Sequence, residues 1–466
     1  MSQPPFKQPC PQAPAPKPEG QQSATDSPSR EQKIQELRAA LALDAANPRL
    51  WAKLMHHLWA ADEPHLALAT WRQTERDLPE PLRPYLVLGN VQRDLNGFEE
   101  AALAYARETE LGDEARRIAV AWNHSQILIG LEDYSQAFAL AERRFELIHQ
   151  QAWRPPPYWL GWPPQTLAPG RPQPPTPGAV TLWSEQGFGD CLQYLRWVPQ
   201  LIQMGWTVRL EVEPPLLPLL REGLAWLGPR LWVAPKGIGP LPLASPCQGS
   251  LLSLPWLLGG APLAQAFAQG PADCTRLSGY LRSPHWPRPA DRRHRQPRIG
   301  LVWAAGSKHD DDFIQREYER RSLPATALIQ LLEGLERSGA ELVCLQFGRD
   351  RQRAAGWGGS FAATLSDGVS LADNARWISA LDLVITVDTA TAHLVGAMAK
   401  PGWVLLPWGS DPRWLRHRQD SPWYPSLTLL RQPQHRDWDG LVQLVLERFQ
   451  RWQAEQFAGG AREVSP

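Results

Sequence analysis

The feature that most narrows the fold is a repeat in the first third of the chain. Trp51, Leu54, Ala67 and Trp71 recur 34 residues later as Tyr85, Leu88, Ala101 and Tyr105. A third unit enters less cleanly: Asp133-Tyr134-Ser135-Gln136-Ala137 echoes Gly97-Phe98-Glu99-Glu100-Ala101 at a spacing of 36. Within each unit the apolar residues step by three and four, which is the helical period. A single helix pair of this kind cannot bury its own apolar face, whereas stacked copies bury a continuous one. Ala67, Ala101 and Ala137 are small enough to let paired helices approach, and the aromatics fill the space beside them. Ile34, Leu37 and Leu41 open the same pattern. A helical repeat domain is therefore expected over 31–150, with an irregular helical bundle as the alternative.

The flanks read differently. Residues 1–30 are rich in Pro, Gln and Ser and carry little besides Phe6 to bury, so a disordered tail is expected. Residues 151–178 hold Pro155-Pro156-Pro157, Pro163-Pro164 and a further Pro-rich run, a composition that suits a stiff linker. Beyond it the period changes. Strands are expected at 179–183, 206–212 and 231–234, with helices at 191–204 and 214–226. The stretch 235–289 is broken by Pro and Gly and remains unassigned. A second series has strands at 297–303, 341–346, 383–387, 403–406 and 427–430. Its helices fall at 324–337, 371–380, after Asp388, and at 438–452. Strand and helix in alternation indicate βαβ units and parallel sheets. The fold class is thus α plus α/β: helical repeats, a lobe over 179–290, a linker carrying Arg292-Arg293-His294-Arg295, a second lobe over 297–452, and a flexible tail over 453–466.

Composition removes some functions. Forty-eight basic residues balance 48 acidic ones, so no global field draws nucleic acid or an anionic membrane. Five scattered cysteines show no CxxC or Cys/His spacing, which argues against a metal site or disulfide framework and fits a cytoplasmic location. No apolar run approaches the roughly 18 residues needed for a transmembrane segment.

Two runs carry chemistry: Glu185-Gln186-Gly187-Phe188-Gly189-Asp190 and Asp388-Thr389-Ala390-Thr391-Ala392-His393. Each ends an apolar strand and opens a helix, the junction where α/β folds place phosphate-binding and catalytic groups. Gly187 and Gly189 allow a sharp backbone turn and the close approach of another molecule. Asp190 stands near the helix start, where an ordinary N-cap is the competing explanation. Thr389 and His393, four apart, share a helix face. The Thr389 hydroxyl and the free N–H groups of the first turn make a seat for a diphosphate, to which His393 adds a hydrogen bond or charge. Here too a plain helix cap is the alternative. His309-Asp310-Asp311-Asp312 contains a DxD pattern but reads as a solvated loop, and Lys308 beside it is a weaker phosphate candidate. No metal ligand is assigned.

Residues 31–150 resemble tetratricopeptide repeats. Residues 185–196 and 210–217 of the first lobe resemble the glycosyltransferase family that includes the bacterial heptosyltransferases (family 9), as do 299–303, 321–324, 380–394 and 420–425 of the second. The resemblance implies a GT-B pair of Rossmann-like lobes, with acceptor on the first and nucleotide sugar on the second. It implies an inverting, metal-independent transfer that uses the nucleotide sugar as co-substrate and no other cofactor. Asp190 matches the family's base, and Arg321, Asp388, Thr389, Ala390 and His393 match its donor-binding positions. Ala390 stands where heptosyltransferases have Gly, and Arg321 where they often have Lys. The O-linked N-acetylglucosamine transferases share the layout of repeats before two lobes. The acceptor is expected to be a protein or a glycan, with a protein partner in the repeat groove. A non-catalytic repeat scaffold with a silent lobe pair is the alternative function.

Overall fold

A computed structural model describes residues 30–146, 178–236, 247–258, 279–290, 296–306 and 312–457. The expected tail over 1–30 lies outside the described residues except Arg30, and the linker over 151–178 except Gly178. Lys308, His309, Asp310, Asp311 and 292–295 also fall outside them.

The first part is built of antiparallel helices: α1 (Arg30–Leu43), α2 (Pro48–Ala60), α3 (Pro64–Asp77), α4 (Tyr85–Asp94), α5 (Phe98–Leu111), α6 (Glu114–Gly130) and α7 (Tyr134–Ala141). Their starts are set locally. Asn47, Asp113 and Asp133 cap α2, α6 and α7 by accepting a first-turn N–H, which satisfies donors a helix cannot satisfy itself. The repeat of the sequence reappears in the backbone. Asp62, Asn96 and Glu132, spaced by 34 and 36, follow α2, α4 and α6 and share a left-handed φ of 59°, 66° and 64°. The described helical region closes with a 3₁₀ turn at Glu142–Glu146.

Two wholly parallel sheets follow. The first contains β1 (Ala179–Trp183), β2 (Thr207–Val212), β3 (Leu231–Pro235) and β4 (Cys247–Ser250), in the order β3-β2-β1-β4. The second contains β5 (Arg298–Val302), β6 (Glu341–Cys344), β7 (Ala363–Thr364), β8 (Leu383–Val387), β9 (Gly402–Leu406) and β10 (Leu427–Arg431), in the order β10-β9-β8-β5-β6-β7. β8 and β9 are buried along their whole length, the reason they read as unbroken apolar runs. Core residues of both sheets and of α6 and α7 form one continuous apolar cluster.

Several expectations need correction. The helix expected at 191–204 starts earlier, at Phe188–Tyr194, breaks through a 3₁₀ turn at Leu195–Trp197 and resumes as Val198–Gln203. Pro199 explains the break, because proline is tolerated in a first turn and not deeper. The helix expected at 214–226 is a short helix, Leu217–Gly223, between two 3₁₀ segments. β4 lies in the unassigned stretch, and its Cys-Gln-Gly-Ser sequence offers no alternation to read. Asp312 is not loop but opens the helix Asp312–Arg320. The terminal helix, Trp438–Phe457, runs five residues into the expected tail.

The helical region is fastened to the second sheet's lobe along its left-handed turns. Asp62 pairs with Arg316 (3.2 Å) and Arg436 (2.8 Å), the Asn96 carbonyl accepts from Arg416 Nη1 (2.7 Å), and Glu132 pairs with Arg418 (3.1 Å). Deeper lies Asp94, its side chain 1% exposed, with Arg316 at 2.6 Å, Arg93 at 3.0 Å and Arg320 at 3.4 Å. Trp59 Nε1 also donates to Asp94, at 2.6 Å. On the other side Arg144, from the turn after α7, pairs with buried Glu185 of the first lobe at 2.5 Å. The buried pairs, Asp94 with Arg316 and Arg144 with Glu185, gain little net stability against apolar packing, but removing one partner costs about 3–5 kcal/mol, so they hold the helices in one register.

Asp62 ties this fastening to pH. Burial pushes its carboxyl up, but the hydrogen bond with His435, the charge of Arg316 and the hydrogen bond from Arg436 bring it down to about 2 from 3.8. That depression corresponds to about 2 kcal/mol. The contribution is complete above about pH 4 and is lost as pH falls towards 2. Urea unfolding followed across that window should show Asp62→Asn losing the corresponding part of the pH dependence; a variant with the wild-type profile would show that Asp62 is not the titrating clamp.

Candidate active site

β1 ends at Trp183, and the chain turns through Ser184–Gly187 into the helix Phe188–Tyr194. The left-handed residue of this turn is Gln186 (φ 63°) and not a glycine. Gly187 is extended (φ −86°, ψ 172°), a conformation open to any residue, so the expectation that Gly187 supplies turn freedom is corrected. Gly189 has a different constraint. A Cβ there would lie 2.7 Å from His393 Cδ2 and 3.2 Å from its Nε2. Gly189 therefore lets the helix after β1 and the helix Ala390–Ala397 after β8 touch, one from each sheet.

Asp190 sits one turn into its helix and reaches back, its Oδ2 accepting the Gly187 N–H at 3.0 Å. It is thus not the N-cap residue but stabilises the cap from within. Its Oδ1 accepts from Arg413 Nη1 at 2.7 Å. The same Nη1 donates to Gln193 Oε1 at 3.0 Å, and Arg413 Nε pairs with Asp411 Oδ1 at 3.1 Å. Burial pushes the Arg413 guanidinium down, but Asp411, Asp190 and Asp388 together raise it well above its ordinary value. Arg413 thus links the turn after β1 to the loop after β9.

At the end of β8, Asp388 is buried and lies 3.9 Å from Arg321 Nη1. Burial raises its carboxyl, with Arg321 offsetting part of the effect. A carboxylate here repels a diphosphate; its geometry suits it to orient Arg321. Arg321 Nε donates to the Glu317 carbonyl at 3.2 Å, and the side chain stays 32% exposed, leaving donors for an anion. Thr389 caps the next helix, its Oγ1 accepting the Thr391 N–H at 3.2 Å and lying 3.3 Å from Thr386 Oγ1. Thr389 and Ala390 are half-buried at the helix start.

His393 is 4% exposed. Its Nδ1 lies 2.9 Å from the Tyr424 hydroxyl, and its ring stacks on Trp414 at 5.2 Å. Burial first, then Arg413, Arg196 and Arg321, hold the imidazole well below its ordinary value. The ring is therefore neutral near pH 7, able to hydrogen bond but not to supply the charge the sequence suggested.

The structure thus brings Gly189, Asp190, Asp388, Thr389, Ala390, His393 and Arg321 into one region where the two lobes meet. Asp411, Arg413 and Trp414 complete it and were missed by sequence reasoning. A signal existed: Asp411-Pro412-Arg413 lies in the loop after β9, and β9 neighbours β8 in a parallel sheet, so both strands end on one edge. Tyr424 and Arg196 lie in motifs already singled out, without an assigned part. Arg196 is buried, donates to the Trp423 carbonyl and lies over the Tyr424 ring at 4.9 Å, a second tie between the lobes. Among the described residues no group of three His, Cys, Asp or Glu side chains is placed to hold a metal ion.

The Gly189–His393 contact gives a direct test. Gly189→Ala should lose about 1–3 kcal/mol through overpacking, read from urea unfolding, whereas Gly187→Ala should lose less. Equal effects at the two positions would show that the contact with His393 does not constrain position 189.

No family model matches this chain, and no curated protein does. Among solved structures it is similar to E. coli heptosyltransferase WaaC with ADP-2-deoxy-2-fluoro heptose, with 15% identity over 59% of this chain and 99% of that one, at a TM-score of 0.36. It is similar to the glycosyl transferase family 9 protein of Veillonella parvula, with 10% identity over 60% and 98% of the two chains and a TM-score of 0.35. A third similarity is to a mutant of the Thermobaculum terrenum O-GlcNAc transferase, with 13% identity over 93% and 91% and a TM-score of 0.30.

Proposed function

We propose that this chain is a glycosyltransferase that moves a sugar from a nucleotide-activated donor to a protein or glycan acceptor. The observation that carries the reading is the pairing of Asp190, after β1, with Arg413, after β9, beside Thr389, His393 and Arg321. A carboxylate and an anion seat then face one reaction space from two lobes. The motif resemblance of both runs supports the same reading.

In this mechanism Asp190 takes the proton of the acceptor hydroxyl. The oxygen attacks the anomeric carbon from the face opposite the nucleotide, and the bond from that carbon to the phosphate oxygen breaks. The electron pair leaves with the diphosphate, so configuration inverts. Arg321, the Thr389 hydroxyl and the first-turn N–H groups, including that of Ala390, meet the developing charge with dipoles already in place. These groups supply positive potential without a metal ion. His393 hydrogen bonds as a neutral ring. Each Asp190 oxygen already accepts one hydrogen bond, which leaves a lone pair for the acceptor hydroxyl. Release of Asp190 by Arg413, turning onto the diphosphate, would free it further. The helical region, read as tetratricopeptide repeats, presents the acceptor or a protein partner.

A silent scaffold is the second reading, favoured by the engagement of both Asp190 oxygens and the burial of His393. A thermal-shift screen of nucleoside diphosphates and nucleotide sugars separates the two. A ligand at a hundred times its Kd should stabilise the protein by about 2.7 kcal/mol. The shift should persist without added metal and vanish in Thr389→Ala/His393→Ala, and Asp190→Asn should bind donor but lose transfer. No shift with any nucleotide would favour the scaffold.

A further inference from the structure

A basic site lies away from this region, on an edge of the second sheet. β10 is an edge strand, and the segment before it pairs back along it, with the Leu429 N–H donating to the Gln419 carbonyl at 2.7 Å. The terminal helix Trp438–Phe457 lies beside both. Between the three is a cavity of ≈ 280 Å³. His417 and Arg418 line it from the segment, Arg431 from the strand, and Leu444, Arg448 and Arg451 from the helix. The helix residues are spaced by four and three and so share one face. No carboxylate is among the described residues that line it.

The charges here are unevenly compensated. Arg418 is matched by Asp420 at 2.6 Å and Glu132 at 3.1 Å. The other three guanidinium groups rest on neutral oxygens. Arg431 donates to the carbonyls of Arg418, Trp414 (2.7 Å) and Leu415 (3.0 Å). Arg448 Nη1 donates to Gln419 Oε1 at 3.3 Å, and Arg451 Nε to the Glu447 carbonyl at 3.4 Å. Burial pushes the Arg431 guanidinium down to about 10, against a partial offset from Asp420. Like charges held in one concavity repel, and a bound anion relieves that repulsion.

We propose that this cavity binds the phosphate of a small phosphomonoester. Planar guanidinium forks match phosphate oxygens, and a dianion with three such oxygens can take donors from more than one fork. Pockets for drug-sized ligands run from about 300 Å³ upward, so this one holds a phosphate and a small attached group. Leu444, 44% exposed at its rim, offers an apolar wall to the carbon part. The phosphate can arrive on a soluble ester or on a lipid headgroup, and the chemistry at the arginines is the same.

The test maps arginine reactivity on the intact chain. Labelling with phenylglyoxal, read by peptide mass spectrometry, is compared in inorganic phosphate and in chloride of equal ionic strength. It is compared again with vesicles of phosphatidic acid and of phosphatidylcholine. Labelling of Arg448 and Arg451 should fall severalfold with phosphate or with phosphatidic acid, while exposed Arg376 labels unchanged. Protection by phosphate alone indicates a soluble ester, and protection by phosphatidic acid alone a headgroup. Arg451→Glu should weaken protection of Arg448, and Thr389→Ala should leave it intact, which keeps this site distinct from the donor pocket. Equal labelling in all four conditions, or a fall shared by Arg376, would overturn the proposal.

Discussion

One loop, between β9 and β10, connects the helical region to the candidate site. At its start Gly409 lies against the Asp94 backbone so closely that a Cβ there would collide with it. Pro412 packs beside Gly130 at the end of α6, and Arg416 is held by the Asn96 carbonyl and by Glu99. The intervening residues face the other way: Arg413 meets Asp190, and Trp414 stacks on His393. The loop is therefore clamped between turns of the helices on one side and the two catalytic-candidate helices on the other. Its shape is not set by its own sequence, since a loop without such anchors would retain its conformational entropy.

The anchors are mostly charges out of water, and that choice has consequences. Asp94 lies among three arginines, and Arg144 with Glu185 repeats the device on the first lobe. Apolar residues of similar size would hold the surfaces together as well or better. They would also tolerate sliding, whereas a buried carboxylate with several donors accepts one geometry. A shift of the helices by a fraction of a turn would leave Asp94 or Arg316 unpaired. The position of Arg413 in the site is thus coupled to the helices against which its loop is seated.

How much of this was legible follows the range of the interactions. The 34-residue spacing and the strand–helix alternation are local, and the structure has the corresponding helix pairs and parallel sheets. β8 is legible to its bounds, because a strand buried on both faces is an unbroken apolar run. β4 is not, because Cys-Gln-Gly-Ser has neither run nor alternation and is a strand through pairing with β1 alone. In the site, Asp190, Thr389 and His393 are visible because glycine- and threonine-marked turns stand out after strands. Arg413 is not, since one arginine among many gives no local sign of its partner 223 residues away. The neutrality of His393 is equally hidden, because it depends on burial by Trp414 and Tyr424 from a later part of the chain.

That neutrality bears on how the region balances its charge. Three carboxylates, Asp190, Asp388 and Asp411, face Arg413 and Arg321. With His393 uncharged, the cations of the region are Arg413, Arg321 and Arg196, set against an equal number of acidic side chains, so net charge alone does not draw a diphosphate. Attraction depends on position: Arg321 is partly exposed beside the helix start, whereas Asp190 and Asp411 each turn one oxygen to Arg413. Under the proposed function, an arriving diphosphate would compete with these carboxylates for the same cations. Arg413 is the group whose partners it would have to rearrange. On the proposed function, such an arrangement would keep Asp190 occupied until an anion takes over the guanidinium, which would link donor binding to the release of Asp190.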